Sequence, residues 1–127
     1  SGGIETIDPL TRTDLGVLLD DDALGGNVSG VAIQSATRGY CLVSDASFHN
    51  FVKAFDPTTG EVRETIFDSA SLVSSIELDG DGYLLVADSS FFEPRVLIFN
   101  AENGALVGAL PAGLPPFSFA ILTRSLP

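Results

Sequence analysis

Few side chains in this sequence could perform chemistry. His49 is the only histidine, and histidine is the side chain that most often acts as a general base. The sequence does not pair it with a nucleophile and a group that would orient the imidazole. We therefore predict no catalytic residue and favour a non-enzymatic role.

The acidic run Asp20, Asp21 and Asp22 is the main candidate for metal binding. Carboxylate oxygens are preferred ligands of Ca²⁺, so these three side chains could hold that ion. Acidic residues are also typical of solvated loops. A calcium site and a solvated loop both stay open, and no other cofactor is expected.

Two segments rich in phenylalanine are the best candidates for binding a partner. They read "ASFHNF" (46–51) and "SSFFEP" (89–94), and each follows an apolar run. Loops on a rigid scaffold are where binding residues usually lie. The alternative is that the phenylalanine rings pack between sheets. The predicted binding residues are Phe48, His49, Phe51, Phe91 and Phe92.

The composition limits the classes of molecule that the protein could bind. The net charge of the 127-residue chain is −11, from 17 acidic and six basic residues, and such a surface repels nucleic acid and anionic lipid. No run of about 18 apolar residues is present, so membrane insertion is not expected. Cys41 is the only cysteine, and we expect a buried thiol. A protein or an extended ligand is the predicted partner.

The elements that position these loops are repeated along the chain. The stretch "VKAFDPTTGEV" (52–62) returns as "VLIFNAENGAL" (96–106), so that Asp56 corresponds to Asn100. A similar strand ends at Asp8. The strand "CLVSD" (41–45) corresponds in the same way to "LLVAD" (84–88). These markers share a period near 44 residues, which indicates repeated structural units.

The repeated hairpin has a turn signature. Gly60 and Gly104 each stand four residues after the Asp or Asn, where a turn favours a left-handed backbone. Arg12 occupies that place in the first copy. We expect the first turn to be built differently.

Each period contains four strand-like segments, a pattern typical of a β-propeller blade. We predict an all-β chain forming one β-propeller segment of four-stranded antiparallel blades, two of them complete. The predicted units are a partial blade at about 3–19, blades at about 29–67 and 74–110, and one strand of a further blade at about 117–122.

Several motifs resemble the NHL-type propeller repeat. They are "GVAI" (30–33), "VSD" (43–45), His49 and "VKAFD" (52–56), and residues 74–104 resemble the same pattern. The turn "FDPTTGEV" (55–62) is similar to YVTN-type and surface-layer propeller repeats. The resemblance implies a propeller fold, and it implies that the histidine belongs to the loop framework.

Three functions follow from this resemblance and from the residues. The first is a non-catalytic scaffold that binds a protein or extended ligand through its loop face. The second is part of a propeller enzyme, similar to calcium-dependent lactonases or to lyases, whose site lies mainly in other blades. The third is a purely structural or surface-coat repeat. We also expect export to the periplasm or the cell exterior, and completion of the ring by other blades or by self-association.

Overall fold

The computed structural model describes residues 2–90, 93–113 and 116. They form three antiparallel sheets, here called A, B and C, and each strand pairs with its neighbour in sequence. The prediction of an all-β chain is confirmed. The predicted strand at 117–122 lies outside the described residues.

Sheet A contains β1 (Gly3–Asp8) and β2 (Thr13–Asp20), and the short helix α1 (Asp21–Leu24) follows it. Sheet B contains β3 (Asn27–Ser35), β4 (Arg38–Ser44), β5 (Asn50–Phe55) and β6 (Val62–Ser69). Sheet C contains β7 (Val73–Leu78), β8 (Tyr83–Asp88), β9 (Arg95–Asn100) and β10 (Leu106–Pro111).

Sheet B lies between the other two sheets, which explains the apolar run in β4. Side chains of a strand alternate between the two faces. Tyr40 and Leu42 contact the core shared with sheet C, whereas Cys41 and Val43 contact the core shared with sheet A. All four are fully buried. A continuous apolar run is therefore the pattern of a strand covered on both faces.

The larger core joins sheets B and C. Its members are Tyr40, Leu42, Val52 and Ala54 of sheet B and Val73, Ile76, Leu84, Val86, Leu97 and Phe99 of sheet C, with Ala101 beside them. The smaller core joins sheets A and B through Leu19, Cys41, Val43 and Phe55, together with Leu24 of α1. Burial raises the pKa of the Cys41 thiol to about 11, so Cys41 packs as a small hydrophobic residue.

The three repeated hairpins share one side-chain hydrogen bond. In each, an oxygen of the Asp or Asn side chain accepts the backbone N–H two residues later. The distances are 3.0 Å for Asp8, 2.7 Å for Asp56 and 2.9 Å for Asn100. These bonds mimic a backbone turn, which explains why Asp and Asn mark the repeat.

The expectation of a different first turn is confirmed in part. The N–H groups of Gly60 and Gly104 donate to the carbonyl oxygens of Asp56 and Asn100 at 2.8 and 2.7 Å, a bond that Arg12 does not make with Asp8. The left-handed position, however, is kept. Arg12 has a φ of 56°, beside 78° for Gly60 and 76° for Gly104. The turn therefore has the same left-handed position in all three copies, and in the first copy a residue with a Cβ occupies it at a steric cost.

Hydrogen bonds of the Tyr40 hydroxyl link sheet B to sheet C. The Tyr40 hydroxyl donates to the carbonyl oxygen of Ala101 at 2.6 Å and accepts from Nε of Arg38 at 2.8 Å. Arg38 also pairs with Glu64 at 2.5 Å. The hydrogen bond to Arg38 holds the pKa of the Glu64 carboxyl below its usual value. Tyr40 thus satisfies a buried carbonyl on the neighbouring sheet.

Within the described residues, no helix is long and apolar enough to cross a membrane.

Candidate binding surface

The loop between β4 and β5 is organised by one carboxylate. Oδ1 of Asp45 accepts the backbone N–H groups of Ser47 and His49, both at 2.9 Å. The backbone N–H of Phe48 donates to the carbonyl oxygen of Asp45 at 3.0 Å. The loop is closed further by a bond from the N–H of Asp45 to the carbonyl oxygen of His49. These bonds fix a tight turn in which Ala46, Ser47 and Phe48 are exposed.

Phe48 is the large apolar side chain of this turn. Its φ is 60°, a left-handed conformation that is a genuine outlier for a bulky residue. It is 80% exposed, so it does not pack between sheets. Strained residues persist only where the surrounding structure holds them in place, and they cluster at binding and catalytic sites. The loop therefore presents a large apolar group to solvent.

His49 and Phe51 form a stack beside this tip. Their ring centroids are 4.8 Å apart, with an angle of 25° between the planes. The ammonium group of Lys53 lies 5.4 Å from the centroid of the Phe51 ring and donates to the carbonyl oxygen of Leu24 at 2.6 Å. Phe51 and Lys53 are two apart on β5 and therefore project to the same face, and His49 continues the spacing just before the strand begins. We call His49, Phe51 and Lys53 the ladder.

The carboxylate of Asp68 borders the ladder. Nε2 of His49 lies 3.7 Å from Oδ1 of Asp68, which is exposed near the end of β6. Sequence reasoning named His49 and Phe51 but missed Lys53 and Asp68. The alternation along β5 was a signal for Lys53. Asp68 had no comparable signal, because pairing between β5 and β6 brings it there.

The predicted metal ligands have structural partners. Oδ1 of Asp20 caps α1 by accepting the N–H of Ala23 at 2.8 Å. Oδ2 of Asp21 accepts the N–H of Gly2 at 2.7 Å, and Asp22 is exposed. Across residues 2–90, 93–113 and 116, no group of three His, Cys, Asp or Glu side chains is placed to hold an ion. Calcium binding stays a prediction.

The second phenylalanine segment can be compared only at its start, because Phe91 and Phe92 lie outside the described residues. Asp88 is the last residue of β8 and pairs with Arg95. Its Oδ2 accepts from Nε of Arg95 at 3.1 Å, and its Oδ1 accepts the N–H of Ser90 at 3.2 Å. Asp45, by contrast, lies beyond β4 and accepts only loop N–H groups. The two loops are similar in sequence but are anchored differently.

No family model matches the sequence, and no curated protein or solved structure matches it either.

Proposed function

We propose that sheets A, B and C are blades of a β-propeller and that the chain is a non-catalytic scaffold that binds a protein or extended ligand. Two features support the blade interpretation. The sheets stack face to face around shared cores, and the first strands of sheets B and C, β3 and β7, lie side by side. Propeller blades pack in this way around a central axis.

The exposed Phe48 carries the binding proposal. An isolated exposed hydrophobic residue needs no explanation, but this one is held in a strained conformation by four hydrogen bonds of its loop. Next to it, His49 and Phe51 supply a further aromatic surface. Aromatic side chains dominate the energetics of binding interfaces.

Charge defines the partner more closely. Asp68 lies beside the ladder, and the chain carries a net charge of −11. Lys53 donates to Leu24, the last residue of α1, and the first turn of that helix carries Asp21 and Asp22. Complementary potentials favour encounter with a cationic partner. We propose an extended segment in which basic residues flank an apolar side chain that contacts Phe48.

The test is a titration of the ¹⁵N-labelled chain with a synthetic peptide of alternating lysine and leucine. We expect amide shifts at Phe48, His49 and Phe51, and we expect Phe48→Gly to weaken binding by about tenfold or more. Glycine accepts the positive φ, so this variant removes the ring without adding strain. Leu10→Gly is the matched control, because Leu10 is 94% exposed in a turn of sheet A. Equal affinity for Phe48→Gly and the unmodified chain would refute the proposal.

A further inference from the structure

The turn between β9 and β10 contains the only asparagine of the sequence that is followed by glycine, Asn103. Asparagine is among the residues that degrade on prolonged heating. Gly104 has no Cβ, so its backbone nitrogen can approach the side-chain amide of Asn103 with little steric hindrance. Asn103 is exposed, and its amide is therefore accessible to water. The turn is separate from the loop of Phe48, so the following inference does not depend on the proposed function.

We propose that Asn103 is a site of spontaneous deamidation, with water as the co-reactant. The backbone nitrogen of Gly104 loses its proton to solvent and forms a bond to Cγ of Asn103. The bond from Cγ to the side-chain nitrogen breaks, and this nitrogen leaves as ammonia after it takes up a proton. Water then opens the cyclic imide at either carbonyl carbon, which yields aspartate or isoaspartate at residue 103.

The folded turn slows this reaction. The N–H of Gly104 donates to the carbonyl oxygen of Asn100 at 2.7 Å, and the N–H of Asn100 donates to the carbonyl oxygen of Ala105 at 2.8 Å. Oδ1 of Asn103 accepts the N–H of Ala105 at 2.9 Å, which polarises the amide but leaves the nitrogen of Gly104 protonated. Because the attacking nitrogen must lose the proton that it donates to Asn100, the reaction proceeds from molecules in which the turn is open.

The same turn packs against sheet B. A Cβ at Gly104 would lie 2.6 Å from Cγ2 of Ile66 on β6 and 3.0 Å from Nη2 of Arg38, so the backbone has no room to expand there. Isoaspartate inserts an additional carbon atom into the main chain before Gly104, and it places a carboxylate next to Glu102. The main chain must then move away from Ile66. Deamidation of Asn103 therefore weakens the contact between sheets B and C.

The rate is tested on the 127-residue chain, incubated in native buffer and in urea and followed by mass spectrometry of its proteolytic peptides. We expect the mass change from amide to acid at Asn103 in urea. In native buffer it should be slower by about tenfold or more, because opening the turn breaks two backbone hydrogen bonds. Asn27, Asn50 and Asn100 are followed by larger residues and should stay unchanged over the same time. Asn103→Ser, which cannot form the imide, is the control for background mass changes.

The consequence for the fold is tested on the reacted chain. Chains that carry isoaspartate at residue 103 are separated by ion exchange, and they should unfold at a lower urea concentration than the unreacted chain. Asn103→Asp adds the charge without the additional main-chain carbon, so it should lower the midpoint by less. The proposal is overturned if the rates in native buffer and urea are equal, or if Asn103 reacts no faster than the other asparagines. It is also overturned if the isoaspartyl chain and the unreacted chain unfold at the same urea concentration.

Discussion

Replacing Tyr40 with phenylalanine tests how sheets B and C are held together. The ring is fully buried, and its hydroxyl donates to the carbonyl of Ala101, which is also fully buried. Tyr40→Phe keeps the packing and removes this bond together with the acceptor for Arg38. The carbonyl is then left without a partner in a place that water does not reach.

An unsatisfied buried polar group costs about 1–3 kcal/mol. For a domain of this size, we expect the melting temperature to fall by roughly 3–10 °C. The assay is urea unfolding followed by circular dichroism, with the free energy of unfolding compared at equal slope. A change of slope would indicate that the variant alters the unfolded state instead.

Tyr83→Phe is the matched control for this experiment. Tyr83 begins β8 and is 39% exposed, so removal of its hydroxyl should leave stability unchanged. If Tyr40→Phe changes the free energy of unfolding no more than Tyr83→Phe does, the hydrogen bond to Ala101 does not hold sheets B and C together.

Two further predictions concern the turns and the ion pair. Arg12→Gly should stabilise the chain by about 0.5–1 kcal/mol, because glycine accepts the φ of 56° that arginine adopts at a cost. Arg12→Ala keeps the Cβ and should not stabilise the chain. Equal melting temperatures for the two variants would show that Arg12 is not strained. Arg38 lowers the pKa of Glu64, so the pair stabilises the fold above the unfolded pKa of glutamate and this contribution disappears as the pH falls through the folded value. Glu64→Gln should therefore lower stability at neutral pH, by less than about 1 kcal/mol because the side chain is half exposed. In acid, the free energy of unfolding of this variant should equal that of the unmodified chain. A difference that does not depend on pH would exclude the ion pair as its cause.

Local patterns were enough to predict the strands and their turns. The repeat of Asp8, Asp56 and Asn100 marked three hairpins, and the structure has the same side-chain bond in each. Arg12 nevertheless keeps the left-handed backbone of Gly60 and Gly104, which turn preferences alone did not predict. A left-handed backbone costs an arginine only about 1–2 kcal/mol, which the rest of a sheet can offset.

The candidate site was predictable only in part. The aromatic residues of the loop are visible in the sequence, but the exposure of Phe48 depends on the bonds made by Asp45. The likeness of the two loops in sequence also hid a difference, because Asp88 is held by Arg95 inside its hairpin. Short-range similarity does not fix how a loop is anchored.

The sequence by itself determined which residues form strands, which side chains share a face of a strand, and where the chain turns. These properties depend on the two-residue period of a strand and on the backbone preferences of Asp, Asn and Gly. Only the tertiary structure decided which face meets which sheet, and therefore that Ile76 is buried while Val31 is exposed. Burial depends on residues far away in the chain, and a periodic pattern carries no information about what covers it.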